Sequence, residues 1–228
     1  MKFHMGDFIE NPFFKSINWS DEQQRVIDSK GSIVVKGAAG TGKTLLVLYL
    51  ALKFILEEKS VAIIVFTKSL RTYISDFFER NKTQDKIKVF YHYEWFRSNS
   101  KKFDVILLDE FQDFSFEDIE LVIDNVRERI LLFGDDEQKL YNKSIFSEKK
   151  TTTFIELCKR TKFNNIVLFR NFRIPKQIVS LINSIYRGNS DMFDDVIGSS
   201  FKDVVVNSYR KKTINSFVHN SSKAKLYH

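Results

Sequence analysis

The sequence predicts an α/β fold in which a parallel sheet is flanked by helices, and three observations predict it. Six short apolar runs recur between residues 33 and 169, segments of helical character separate them, and the runs are continuous rather than alternating. Unbroken apolar strands are covered on both faces, and strands that alternate with helices pair in parallel through crossover connections.

Taken in chain order, Ser20-Asp21-Glu22-Gln23 has the S-x-x-Q form of a capping box and opens a helix through about Ser29. Strands are expected at IVV (33–35), VAIIVF (61–66), IKVFY (87–91), VILLD (105–109), RILLFG (129–134) and NIVLF (165–169). Between and after them, helices are expected over Lys43–Lys59, Ser69–Arg80, Phe116–Val126, Thr152–Arg160 and Pro175–Tyr186. Residues 188–228 turn irregular, rich in Ser, Asn, Asp and Lys, and no internal repeat is visible.

Bulk properties exclude several classes. The longest apolar runs fall far short of the roughly 18–20 residues that cross a bilayer, and MKFHMGDFIENPFF lacks the layout of a signal peptide. A single cysteine, Cys158, excludes a disulfide framework and a cysteine-rich metal site. A soluble protein of a reducing cytoplasm, with no membrane partner, is the expectation. The formal net charge of +7 is unevenly spread, since five of those charges fall after residue 201. Charge alone therefore says little about nucleic acid, because a basic end is often just solvated.

The chemistry begins at GAAGTGKT, Gly37 to Thr44, which fits G-x-x-x-x-G-K-[ST] with a strand before it and an apolar helix after. Small residues let the backbone N–H groups of Gly37, Ala38, Ala39, Gly40, Thr41 and Gly42 curl round phosphate oxygens, aided by the positive end of the helix dipole. Lys43 is expected on the β- and γ-phosphates and the Thr44 hydroxyl on Mg²⁺, so Mg-ATP is the expected ligand. VILLDEFQD supplies the second element: Asp109 closes an apolar strand and can share the metal with Thr44, while Glu110 can take the proton of an attacking water. Together these motifs favour phosphoryl transfer to water, with a small P-loop kinase left open.

The surrounding runs decide between P-loop families. INWSDEQQRVI, VFTKSLRTYI (65–74), LLDEFQDFS (107–115), LLFGDDEQKLY (131–141) and NFRIPKQIVSLIN (171–183) stand in the order of the motifs of superfamily 1 helicases. Across residues 17–187 the chain resembles the UvrD/Rep/PcrA-like branch of the superfamily 1 DNA helicases. That resemblance implies a RecA-like P-loop domain over residues 1–165, and the start of a second RecA-like domain plus a basic tail over 166–228. It implies that Gln23 reads the adenine edge, Gln138 senses the γ-phosphate, and Arg173 contacts the γ-phosphate from across the domain cleft. It also implies that Phe66, Thr67 and Tyr141 meet single-stranded DNA, the expected partner.

Three departures qualify the resemblance. The 66-residue spacing from Lys43 to Asp109 has no room for the duplex-binding insertion of larger relatives. The motifs that line the far side of the cleft, including its second arginine, have no counterpart after Arg173. The expectation is a motor domain incomplete as a helicase by itself, its missing C-terminal half coming from a longer gene product or a partner protein. Finally, Leu45 stands where the family often has an arginine that stacks on adenine, so base selectivity is expected to be looser. The alternative to a motor is a regulatory P-loop ATPase that acts on a protein partner without translocating.

Overall fold

The computed structural model describes Phe14 and residues 17–173, apart from 82, 84, 98–101 and 146. The helix expected over Pro175–Tyr186 and the basic tail lie outside the described residues. Helix α1 (Asp21–Asp28) starts where the sequence predicts: the Ser20 hydroxyl accepts the Gln23 N–H, and the Gln23 side chain accepts the Ser20 N–H.

Six strands follow: β1 (Ile33–Gly37), β2 (Val61–Val65), β3 (Ile87–Tyr91), β4 (Phe103–Leu108), β5 (Val126–Gly134) and β6 (Asn164–Leu168). They form one sheet in the order β3-β2-β4-β5-β1-β6, and each of these pairings is parallel. The remaining helices are α2 (Lys43–Leu56), α3 (Lys68–Arg80), α4 (His92–Arg97), α5 (Phe116–Ile123) and α6 (Phe154–Thr161).

The unbroken apolar runs are explained by the two faces they feed. Successive strand residues point to opposite sides, so Val35, Ile63, Leu107 and Phe133 pack with Leu46 and Leu50 of α2 and Ile74 and Phe78 of α3. Val34, Ile64, Ile106 and Leu132 pack on the other side with Trp95 of α4, Ile119 and Val122 of α5 and Leu157 of α6. In β2, buried at every position, cover on both sides leaves no place for a polar residue, hence no alternation.

Boundaries differ from the sequence expectation where tertiary pairing overrides local composition. The helix expected to reach Val126 stops at Ile123, where the Asn125 N–H turns back to the Val122 carbonyl. Strand β5 then starts at Val126, ahead of its apolar run, because Val126 pairs with Phe103 of β4 and carries Arg127 and Glu128 into the strand. The second strand ends at Val65, one residue short, and Phe66 begins the turn into α3. The short helix α4 was not expected; the Glu94 carboxylate at its start accepts the Tyr91 N–H. Strand β6 pairs with β1 along its length and runs through the 165/166 division, so the first sheet extends to Leu168.

With every strand parallel, all carboxyl ends lie along one edge, and the loops after β1, β4, β5 and β6 converge there. Ligands of open α/β sheets bind at this edge. Packing there is tight: a Cβ built on Gly134, the last residue of β5, would lie 2.5 Å from Gln112 Oε1 and 2.6 Å from the Phe111 ring. Gly134→Ala is therefore expected to cost about 1–3 kcal/mol, the usual penalty of overpacking. A lower urea midpoint at unchanged m-value checks this, and an unchanged midpoint would refute it.

Candidate active site

The loop from Gly37 to Lys43 is shaped by two glycines in the left-handed region, Gly40 at φ 83° and Gly42 at φ 86°. Side chains are disfavoured there by conformation and by space, since a Cβ on Gly40 would lie 2.8 Å from Asn171 and one on Gly42 2.7 Å from Gln23 Nε2. Helices α1, α3, α5 and α6 are capped by the side chains of Ser20, Thr67, Ser115 and Thr153. Helix α2 begins at Gly42 with no side-chain cap, so its first N–H groups remain available to an anion. Lys43 is buried and donates from Nζ to the Gly37 carbonyl at 2.6 Å and to that of Ala38 at 3.4 Å.

Across from this loop, Asp109 follows β4 and is completely buried. Its Oδ2 accepts the Thr44 hydroxyl at 3.2 Å and its Oδ1 accepts the Glu110 N–H at 3.1 Å. Burial, followed by the Glu110 carboxylate, holds its carboxyl well above the ordinary range, while Lys43 and the Thr44 hydroxyl pull it back. A buried carboxylate beside a hydroxyl is a donor set of hard oxygens, which fits Mg²⁺ with its remaining positions left to water and phosphate. Among the described residues no group of three or more His, Cys, Asp or Glu is arranged to hold a metal.

Glu110 sits in the left-handed region at φ 62°, ψ 48° and opens a short 3₁₀ turn, Phe111–Asp113. Gln112, buried, donates from Nε2 to Glu110 Oε2 at 2.8 Å and accepts the Asp135 N–H on Oε1 at 2.9 Å. Asp135 Oδ2 in turn accepts Gln138 Nε2 at 2.6 Å, in a second 3₁₀ turn, Asp136–Gln138, just after β5. Asp113 Oδ1 accepts the Leu140 N–H at 3.1 Å, one residue before Tyr141. The turn after β4 is thereby tied to the loop after β5 at two points.

Beyond β6, Asn171 Nδ2 donates to the Ala39 carbonyl, the Phe172 N–H donates to Gly40 at 2.9 Å, and the Arg173 N–H donates to Asn171 Oδ1 at 2.9 Å. Gly40, Lys43, Thr44, Glu110, Gln138 and Arg173 consequently face one cavity of about 510 Å³. Arg173 arrives there on the backbone that leaves this same sheet.

Two residues sit differently from the sequence expectation. Gln23 does not line the cavity: it is buried, its Nε2 donating to the Thr41 carbonyl at 3.0 Å and its Oε1 accepting from Ser20, so its amide braces the loop. Phe66, expected to face DNA, is only 6% exposed because its ring stacks on His92 at 4.6 Å and meets Phe114 edge-on. Tyr141, 42% exposed and 5.7 Å from Phe66, is the outer ring of that stack. Thr67 is exposed and caps α3 through its hydroxyl. Beside it Lys68 lies over the Tyr91 ring, and Arg97 lies over Tyr93. His92 and Trp95 are both buried.

Sequence reasoning did not single out Gln112, Asp113, Asn171 and Phe172. The first two stood within the DEFQD run and the last two within NFR, so their place inside those runs was the available signal.

The sheet with its glycine-rich loop is the RecA-like P-loop NTPase fold expected from the sequence. A family model described as the viral superfamily 1 RNA helicase core domain matches residues 33–228. No curated protein matches the chain. Similar solved structures include the C-terminal domain of a possible DNA helicase from Lactobacillus plantarum, at 12% identity over 53% of this chain and 88% of that one, TM-score 0.33. The flagellar accessory protein FlaH from Methanocaldococcus jannaschii is similar at 16% identity over 67% and 78% of the two chains, TM-score 0.40. The replication initiator DnaA bound to AMPPCP and single-stranded DNA is similar at 13% identity over 77% and 56%, TM-score 0.40. Among the described residues no helix is long and apolar enough to cross a membrane.

Burial pushes the Asp113 carboxyl up to about 6 from its ordinary 3.8, against the hydrogen bond from Leu140. A folded value above the unfolded one means that the folded protein holds an extra proton between them. The contribution of Asp113 to stability is thus fullest below about pH 4 and is lost as pH rises through about 6. Asp113→Asn keeps an acceptor for Leu140 without that titration. Its denaturation midpoint is expected to gain on the wild type as pH rises from about 4 to 7; a constant difference across that range would refute the assignment.

Proposed function

This chain belongs to the viral superfamily 1 RNA helicase core domain family, which implies NTPase activity; we propose that it is a Mg-ATP-hydrolysing motor domain and, from the resemblance of its motif runs to those of UvrD-like DNA helicases, that it works on single-stranded DNA. The observation that carries the reading is the cavity shared by Lys43, Thr44, Glu110, Gln138 and Arg173, with Asp109 held behind Thr44.

The open N–H groups of α2 and the Gly37–Gly42 backbone receive the triphosphate. Lys43 exchanges its two carbonyl partners for phosphate oxygens, which it meets as a point charge. Thr44 and Asp109 would hold Mg²⁺, which when bound neutralises charge on the phosphates. Glu110 accepts the proton of the attacking water as the new oxygen–phosphorus bond forms and the bond to the β-phosphate oxygen breaks, releasing ADP. The hydrogen bond from Gln112 occupies Oε2 of Glu110 and leaves Oε1 for the water. Arg173 supplies fixed positive charge against what accumulates on the transferring phosphoryl group.

Gln138 stands on both paths, lining the cavity and anchored through Asp135 to Gln112. Loss or gain of the γ-phosphate at Gln138 therefore reaches the segment that carries Tyr141. Support for a nucleic-acid face comes from the exposed Tyr141 ring, from Thr67, and from the cations of Lys68 and Arg97 over neighbouring tyrosines. A base stacked on Tyr141 contributes about 1–3 kcal/mol. The DNA reading draws on the DEFQD, GDDEQKLY and NFRIP runs of the sequence.

ATP turnover by the full chain, measured with single-stranded DNA, with single-stranded RNA and without either, tests this. DNA is expected to raise turnover, Lys43→Ala to abolish it, and Glu110→Gln to retain ATP binding while lowering turnover by about 100-fold or more. Stimulation by RNA alone would replace DNA by RNA, and turnover indifferent to both would favour an ATPase that regulates a protein partner. Tyr141→Ala is expected to weaken single-strand affinity about 5- to 100-fold with ATP binding intact; equal affinity would remove the stacking assignment.

A further inference from the structure

Among the described residues, the cations that line the 510 Å³ cavity are Lys43 and Arg173. Lys43 opens α2 and is held by that helix, whereas Arg173 follows β6 on a stretch outside any helix or strand. A long side chain on such a stretch stabilises developing charge only if it is already in place when the charge appears. What holds Arg173 is therefore a question that the secondary structure leaves open.

Asn171 answers it. Its side chain is completely buried and does not itself line the cavity. Its Nδ2 donates to the Ala39 carbonyl, 132 residues earlier in the chain, and its Oδ1 accepts the Arg173 N–H at 2.9 Å. The place thus asks for a donor on one side and an acceptor on the other, and a carboxamide offers both in one planar group. The next residue adds a second tie, because the Phe172 N–H donates to the Gly40 carbonyl at 2.9 Å. Ala39 and Gly40, whose N–H groups the phosphate reading assigns to the cradle, so give their carbonyls to residues 171 and 172. The fit is close: a Cβ built on Gly40 would lie 2.8 Å from both Asn171 Oδ1 and Arg173 Cβ.

We propose that Asn171 is a positioning residue that ties Arg173 to the phosphate loop, so that the guanidinium stands ready within this one sheet and does not wait for a second domain to close. The inference rests on the reading of Arg173 as a charge set against the transferring phosphoryl group, and it names what keeps that charge in place.

ATP turnover by the full chain with Mg²⁺ provides the test, with kcat and KM measured separately in wild type, Lys43→Ala, Arg173→Ala, Asn171→Ala, Asn171→Asp and the double variant Asn171→Ala/Arg173→Ala. Arg173→Ala is expected to lower kcat about 100-fold or more. Asn171→Ala is expected to lower it about 10- to 100-fold with KM within about threefold of wild type, the mark of a misplaced group and not of a damaged binding loop. Asn171→Asp keeps the acceptor for Arg173 but loses the donor to Ala39, and is expected to match Asn171→Ala. The double variant is expected to be no slower than Arg173→Ala alone, because an amide that acts through the arginine has nothing left to act on. An unchanged kcat in both Asn171 variants, or a double variant slower again by the full Asn171→Ala factor, would overturn the proposal. Loss of ATP binding along with turnover in both variants would also overturn it, since Asn171 would then be holding the loop for its own sake. Turnover in Arg173→Ala equal to wild type would remove the arginine and its positioning while leaving hydrolysis by Lys43 and Glu110 standing. A wild type as inactive as Lys43→Ala would bring down both readings together.

Discussion

A carboxylate with no exposed surface at the end of a central strand is the constraint around which this site is built. Asp109 cannot be hydrated where it stands, and the cost of a buried charge holds its carboxyl above the ordinary range. Its neighbours answer that cost in part: the Thr44 hydroxyl, the Glu110 N–H and the charge of Lys43. Lys43 and Thr44 arrive from β1, and Asp109 from β4, two strands away with β5 between them. The parallel order of the sheet makes the meeting possible, because it sets both strand ends on one edge.

What surrounds Asp109 is a joint between two loops. The turn Phe111–Asp113 reaches across to the loop after β5 through Gln112 and Asp113, and the close approach is possible because residue 134 has no side chain. The far end of the same loop is fastened separately. Asp118 and Ser115 at the start of α5 hold Ser144 and Ser147 through a buried set of hydrogen bonds. Tyr141 lies between these two fastenings, so its position is set by polar contacts on both sides and by Phe66 beneath it. Buried networks of this kind specify one arrangement when all members are satisfied.

Much of this was legible in the sequence where the signal is local. The capping box at Ser20, the buried strands and the run from Gly37 to Thr44 each depend on residues close together in the chain, and each appears within a few residues of its expected place. Val126 and Phe66 show why the remainder was not. Val126 reads as the end of a helix until β4 offers it a partner, and Phe66 reads as an exposed aromatic until His92 and Phe114 enclose it. Gln23 was recognised for its type and position, yet what its amide bonds to is decided by a loop that starts many residues later. Gln112 and Asn171 bind backbone groups 23 and 132 residues away, which no local pattern encodes.

Glu110 adopts a left-handed backbone that residues with side chains rarely take. Such a conformation costs of order 1–3 kcal/mol and persists where the surroundings over-determine it. Glycine would be relieved of that strain and asparagine tolerates it, so a fold selected for stability alone would drift towards either. On the reading of Glu110 as the general base, keeping a glutamate there sets folding against chemistry at a single codon. In a lineage that no longer needed that reaction, nothing would offset the strain, and glycine or asparagine would be favoured at this position.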